Sequence, residues 1–521
     1  MKNKFLSLIV GINSLIRKPI FSRISLILLG FSSTIWFLAR VIPKPQRAYY
    51  PCMRAAAPLM SGFVIWLLAF SGTTLAFKKV LQRWRETRYL AASLFMVLAL
   101  AATSLLLSKS ASDATADTGK LEIWYKANSP LGVARGIHPG RVAWGHNEKI
   151  ATWDGQTGFW WEDRFNNQAE TNKLFCETLT NLTGNKNEKK AWDELFHFFN
   201  KTKRNSKDGY KAGEKITVKV NLNNTHSHEN TNEINANPQL VLSLIRSLVN
   251  EAGVAPENIT VADPSRFVTN NIFDKCHTAY PKVHFVDHNG GDGREKANFV
   301  ANAIPYSIDN GKVATGLATC VVEADYLINL ALMKGHVSQG VTLCAKNYFG
   351  CTSIEDDWHK NAHSSGFSQN RDGSFKYLVY PDYLGHKDLG AKTMLFLIDG
   401  IYSNKFVDRV PAFKWALAPF NDNWPGSLFA SQDGVAIDSV VLDFALAEWP
   451  DAPDMKFSDY YLNECALAGN PPSGTLYDPE QDGTRLGSLG VTEHWNNPVD
   501  KRYSGNLKTG KGIELIYKKV N

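Results

Sequence analysis

Acidic residues are nearly absent from the first fifth of this chain. Residues 1–110 hold fifteen Lys and Arg against one carboxylate, Glu86, whereas the full 521 residues carry 57 basic and 50 acidic side chains. Residues 111–521 therefore have a balance of −7, and the basic total belongs to the N-terminal piece. That argues against a nucleic-acid-binding surface in the larger part. Cysteine is also scarce, seven in all with Cys52 in the first piece, and no C-x-x-C occurs. Iron–sulfur and zinc-ribbon frameworks have no ligands here, so no iron–sulfur cluster is expected. The six remaining cysteines are compatible with disulfides or with buried thiols. No G-x-G-x-x-G follows a strand, and neither H-E-x-x-H nor G-x-S-x-G appears. Gly505 to Lys511 falls short of a phosphate loop, because Gly512 stands where Ser or Thr is needed. No internal repeat is evident. An apolar content of 44% with 12% aromatics excludes an intrinsically disordered chain.

What the first piece does contain is apolar length. Residues 55–77 and 89–108 are almost uncharged runs of 23 and 20 residues, each able to cross a bilayer core of about 30 Å. A third run, 24–42, carries only Arg40 near its end, where a long side chain can snorkel. Trp36, Tyr49 and Tyr50 suit an interfacial belt. Two- and three-span arrangements each place ten basic residues inside and five outside, so charge alone does not orient the chain. Three spans are favoured by the apolarity of 24–42. The expectation is an integral protein of the cytoplasmic (inner) membrane, with the lipid bilayer as partner and an extracytoplasmic domain. A Ser/Ala/Asp/Thr-rich linker at 109–120 separates the two parts.

Beyond the linker, an aromatic-rich segment (121–214) precedes a core (215–450) and a C-terminal extension (451–521). Within the core, residues 215–221 alternate with β-branched side chains and read as a strand. Apolar residues at 240, 241, 244, 245, 248 and 249 form a helical stripe over 238–252, opened by Asn237-Pro238 and closed by Gly253. A second strand follows at 259–263, completing a βαβ unit that must be parallel. A helix at 271–280, strands at 283–287, 326–332 and 394–399, and a helix at 438–448 following residues 427–431 continue the pattern. The fold class expected is α/β, a mainly parallel sheet with flanking helices, preceded by an α-helical transmembrane segment.

Ligands of open parallel sheets bind beyond the carboxyl ends of the strands. Those ends here bring Asn221, Asn223, Asp263, Asp287, His288, Lys334, His336 and Asp399 to one rim. Asp and Asn also favour strand ends as turn formers, but Lys334 and His336 do not. The run from Glu323 to Cys351 is more particular: Asp325, an apolar strand, Lys334-x-His336, Gly340-x-Thr342 and Lys346-Asn347-x-x-Gly350. With Lys219-x-Asn221 before it and Ser431-x-Asp433-x-Val435-Ala436-Ile437-Asp438 after it, this resembles the DUF362 family, a domain of unknown function, over 215–448. Members often carry ferredoxin-like cysteine motifs, which this chain lacks, and the resemblance implies no reaction.

Three lysines, Lys219, Lys334 and Lys346, converge if this placement holds. At 4 Å each pair repels by about 1 kcal/mol even in water. An anion among them would relieve that, as would one lysine held neutral, the usual state of a lysine base or Schiff-base nucleophile. The bland alternative is salt bridging to Asp263, Asp325 and Asp433. On the first view Lys219, Asn221, Asp263, Lys334 and Asn347 bind an anionic small molecule, and His336 with Lys346 supplies the proton chemistry. Metal ligation is a separate candidate: His226-x-His228-Glu229 sits in the long loop 222–237, and Asp356-Asp357-Trp358-His359 precedes His363. A divalent metal would be the cofactor there. Trp144, Trp153, Trp160 and Trp161, near Arg141, Glu162 and Asp163, make either a sugar platform or a buried aromatic layer. Three readings stand: an enzyme on an anionic substrate, a non-catalytic ligand- or metal-binding accessory protein of the envelope, and a glycan binder using Trp160 and Trp161.

Overall fold

A computed structural model of the chain describes residue 35 and residues 126–336, 339–356, 362, 376–452 and 454–521. The candidate spans and the linker lie outside these residues, Ile35 excepted, as do Asp357, His359 and His363. Among the described residues no helix is long and apolar enough to cross a membrane.

Ten strands form the main sheet. They are β1 (Arg141–His146), β2 (Ile216–Lys219), β3 (Ile259–Asp263), β4 (His284–Asp287), β5 (Glu295–Lys296), β6 (Tyr326–His336), β7 (Gly340–Thr342), β8 (Thr393–Asn404), β9 (Ser427–Ser431) and β10 (Glu514–Lys519). Across the sheet the order is β10-β1-β9-β8-β6-β2-β3-β4-β5, with β7 beside β6 off that path. The six strands from β8 to β5 run parallel. β9 is antiparallel to both β8 and β1, and β7 is antiparallel to β6. The sheet is therefore mixed, which corrects the expectation of a mainly parallel one. The cause lies in the connections. No helix occurs in 405–426 to carry the chain back along the sheet face, so β9 returns antiparallel to β8. β1 and β10, from the segments flanking the core, pair with each other in parallel and extend the same sheet.

Alternating side chains divide the apolar strand residues between two cores. On one face Ile216, Val218, Ile328 and Leu330 meet α1 (Gln168–Thr183), α2 (Glu188–Lys203), α3 (Pro238–Asn250) and α4 (Asn270–Ala279). On the other, Leu327, Ala331, Phe396 and Ile398 meet α5 (Cys344–Asn347), α6 (Tyr380–Gly385), α7 (Gly434–Glu448) and α8 (Asp459–Ala466), or residues beside them. α3 begins as its sequence requires: Pro238 occupies the first turn, and Asn237 Oδ1 accepts from the N–H groups of Gln239 and Leu240 at 2.9 and 3.1 Å. Such a cap contributes about 0.5–2 kcal/mol. α7 has no polar outer face: it is buried from Gly434 to Leu446, Asp438 and Asp443 included, so it lies inside its layer rather than on the surface.

The aromatic segment is a structural layer. Trp153 and Trp160 are each 2% exposed, and Trp144 is 3%. Trp160 Nε1 donates to Asn232 O and Trp161 Nε1 to Thr231 O, at 3.1 and 2.9 Å, pinning the loop 222–237. Trp160 is therefore unavailable to stack on a sugar, which corrects the platform reading for that residue.

One buried ion triad fastens the C-terminal segment. His494 Nδ1 lies 2.5 Å from Asp443 Oδ1 on α7, and Nε2 lies 3.1 Å from Asp459 Oδ1 on α8. Burial opposes the imidazolium charge, but the two carboxylates outweigh it and hold the histidine up to about 10. A folded-state value above the unfolded one gives stability that is complete below about 6.5 and is lost as pH rises through about 10. His494→Gln should cost about 3–5 kcal/mol at pH 6, the usual penalty for breaking a buried pair. Urea unfolding of the full chain should show that penalty narrowing as the pH approaches 10, and a constant penalty would contradict the assignment.

Candidate functional site

Three parallel strands and one hairpin deliver the site. Lys219 ends β2 and Asn221 follows it; Asp263 ends β3, with Ser265 and Arg266 next; His336 ends β6. β6 then folds back on β7, with His336 opposite Gly340 and Lys334 opposite Thr342. Gly340 adopts φ +77°, a left-handed conformation that suits glycine in this tight reversal. The chain passes directly into α5, which carries Lys346 and Asn347. The carboxylate of Asp438, on α7, accepts from the N–H groups of Cys344 and Ala345 at 2.8 and 3.0 Å and so anchors that short helix. Burial pushes Asp438 up to about 7, against the pull of those bonds.

A cavity of about 90 Å³ lies at the meeting point. Lys219, Asn221, Asp263, His336, Lys346 and Asn347 line it, joined by Asn223, Ser265, Arg266, Thr342, Phe349 and Gly350. Asn347 is its hub. Its Oδ1 accepts from Lys219 Nζ (3.1 Å) and Asn221 Nδ2 (3.2 Å), and its Nδ2 donates to Asn329 Oδ1 on β6 (2.8 Å). Lys219 Nζ also pairs with Asp263 Oδ2 at 3.2 Å, both side chains almost fully buried. Gly350 is required by that pair: a Cβ there would stand 2.5 Å from Lys219 Nζ and 2.6 Å from Asp263 Oδ1. Two buried oxygens in the lining, Asn221 Oδ1 and Thr342 Oγ1, have no hydrogen-bond partner among the described residues.

Charge in the cavity is lopsided. Against the single carboxylate of Asp263 stand Lys219, Arg266 and Lys346. Arg266 donates to the carbonyls of Asn223 and Ser265 and has no carboxylate partner among the described residues. Lys346 makes no hydrogen bond or ion pair among those residues; its Nζ sits 4.0 Å from the centre of the Phe349 ring. Burial, then Arg266 and Lys219, bring its ammonium down to about 7. Lys334 does not line the cavity. Its Nζ donates to Asn223 Oδ1 and to the carbonyls of Val407 (3.1 Å) and Ile234 (3.4 Å). Burial and Lys346 depress it well below the ordinary lysine range. It thus holds Asn223, a lining residue, and the loop 222–237.

Of the salt bridges weighed from sequence, only Lys219–Asp263 forms. Asp325 accepts from the Lys215 N–H at 2.7 Å and faces Arg204 at 3.7 Å. Asp433 caps α7, accepting from Val435 and Ala436. Asp399 turns to the N–H groups of Asn237 and Ile401 and helps set the entry to α3. His228 Nε2 lies 2.8 Å from Asp287 Oδ2, while His226 is exposed. Among the described residues no three His, Cys, Asp or Glu side chains converge to hold a metal, so His226 and His228 are not joined by a third ligand there. Arg266 was not singled out by motif. A signal for Asn329 existed in the one polar residue inside the apolar strand 326–332.

The architecture is a three-layer α/β domain with a cationic cavity at the carboxyl ends of its parallel strands. Residues 216–443, which hold every lining residue, match the family model described as Domain of unknown function (DUF362). No curated protein and no solved structure matches the chain.

A lysine with a value near 7 reacts as an amine at neutral pH. Pulse acylation of the full chain at stepped pH, read by peptide mass spectrometry, should give Lys346 a half-maximal rate near pH 7. Ordinary lysines titrate about three units higher. A midpoint above pH 9 for Lys346 would refute the picture of a desolvated, cation-crowded amine.

Proposed function

We propose that this chain is an enzyme acting on an anionic small molecule, held in the cavity at the strand ends. The observation that carries the reading is Lys346, a side chain with no counter-ion among the described residues, facing Lys219 and Arg266 across a cavity with one carboxylate. A bound anion relieves that imbalance. The volume of about 90 Å³ suits one phosphate- or carboxylate-sized head, well under the 300 Å³ or so of pockets that swallow a whole drug-sized ligand. Lys219, Arg266 and Lys346 hold the anion in this reading. Asn221 and Asn347 orient it, the unpartnered Asn221 Oδ1 accepting from a ligand hydroxyl. Lys346 accepts and returns a proton as the amine that titrates near neutrality, and His336 is the second proton-transfer group.

The test begins with native mass spectrometry of the purified full chain to detect a co-purified anion, followed by calorimetric titration with inorganic phosphate. Phosphate should bind, and both Lys346→Met and Arg266→Gln should weaken it at least tenfold. No retained anion and no phosphate binding at millimolar concentration would overturn the reading. With the retained ligand as substrate, loss of turnover in Lys346→Met beyond its loss of affinity marks catalysis, whereas equal loss of both marks a binding protein.

We also propose that residues 24–42, 55–77 and 89–108 tether this domain to the cytoplasmic membrane, with the domain on the extracytoplasmic side. The carrying observation is their apolar length. The chain should stay with membranes in alkaline carbonate, and protease added outside spheroplasts should cleave its domain. Release by carbonate would overturn the anchor, and complete protection from protease would overturn the orientation.

A further inference from the structure

A second cavity, of about 340 Å³, lies at the other end of the sheet. It is bounded by Thr393, Met394 and Phe396 at the start of β8, whereas the Lys346 cluster sits at the carboxyl ends of strands parallel to β8. β9 runs the opposite way, so Gln432 and Gly434, just beyond its end, arrive at the same place. The character of the two cavities differs. Phe199, Leu384, Met394, Phe396 and Leu489 give this one apolar walls, and its volume falls within the roughly 300–1,000 Å³ of small-molecule sites.

Two cations share those walls, Arg135 and Lys203. Lys203, at the end of α2, makes no hydrogen bond or ion pair among the described residues. Arg135 donates to the carbonyl of Ser488. The carboxylate that faces it, Asp433, already accepts from the N–H groups of Arg135, Val435, Ala436 and Val491 at 2.9–3.2 Å. Burial lowers Arg135 from its ordinary range against the pull of Asp433, and burial together with the nearby Arg135 charge lowers Lys203. Next to Arg135 in the chain, Val133 is 65% exposed and Leu131 is 40%, so apolar surface adjoins this segment. Apolar walls with an under-compensated cation pair complement one kind of ligand: a hydrocarbon body with a negatively charged head.

We propose that this cavity binds a single-chain anionic amphiphile, its carboxylate or phosphate head between Arg135 and Lys203 and its alkyl chain against Phe199, Met394 and Phe396. The site is separate from the Lys346 cavity and does not depend on the function proposed for it.

The experiment is photolabelling of the full chain, in nanodiscs of zwitterionic lipid, with a diazirine-bearing fatty carboxylate and mass-spectrometric mapping of the adducts. Label should concentrate in the peptides around residues 198–203 and 384–396. Decyl phosphate should compete; inorganic phosphate and decyltrimethylammonium should not. Lys203→Glu, at an exposed position, should cut labelling at least tenfold with an unchanged thermal midpoint, and Thr202→Trp should do so by filling the cavity. Lys346→Met should leave labelling intact. Competition by a monoacyl phosphatidic acid held in vesicles, compared with free decyl phosphate, tells a bilayer source from a dissolved one. Label spread evenly over the surface, equal competition by the cationic amphiphile, or no response to Lys203→Glu and Thr202→Trp would overturn the proposal.

Discussion

The amide of Asn347 ties the short helix α5 to two neighbouring strands, β2 and β6, at the point where Lys219 and Asn329 lie side by side. Its oxygen takes the Lys219 ammonium and the Asn221 amide, and its nitrogen reaches Asn329 in the middle of β6. An amide is suited to this because it offers donors and acceptors on one rigid plane, and buried polar groups are costly unless each is satisfied. A leucine of similar size would strand Lys219 and Asn329 together, and an aspartate would lose the donor to Asn329. The hub holds only if α5 stays in place, which is the part played by Asp438 from the neighbouring helix α7. The DUF362 match thus spans two kinds of residue: those facing the cavity, and those, such as Asp433 and Asp438, that fix the elements behind it.

A cluster with more cations than carboxylates stays folded because the compensation is mostly neutral. Lys334 leans on two carbonyls and an Asn oxygen, Arg266 on two carbonyls, and Lys219 on Asn347 as well as on Asp263. Dipoles of this kind stabilise charge without cancelling it. The cavity therefore keeps a positive potential that direct salt bridging would have removed, and Lys346 is left as the amine most sensitive to what enters.

Much of this was legible from the residues because the relevant periods are short. The stripe at 240–249 and the alternation at 215–221 specify a βαβ unit, and the rim rule then places Lys219, Asn221, Asp263 and His336 together. Strand direction was less accessible. It depends on what lies between two strands, and the absence of a helix in 405–426 carries no periodic signature. Arg266 escaped notice because an arginine three residues beyond a strand is ordinary in sequence; only the packing of the β3 turn against Asn223 aims it at the cavity. Trp160 misled for the opposite reason. Tryptophan near carboxylates reads equally as a platform or as a buried layer, and burial with the Asn232 carbonyl accepting from its indole N–H is what settles Trp160 on the interior.

The pairing of β1 with β10 sets the order in which the domain can be completed. Residues 141–146 wait beside 514–519, a separation spanning nearly all of the described chain, while the βαβ core between them is built from neighbours in sequence. Contacts of such long range form late and slowly. During synthesis β1 can settle against β9 with its outer edge unpaired, and an open edge is a template for association with another chain. The last strand covers that edge and becomes the outer strand of the sheet in its place, and the His494 ion pairs fix the segment that precedes it.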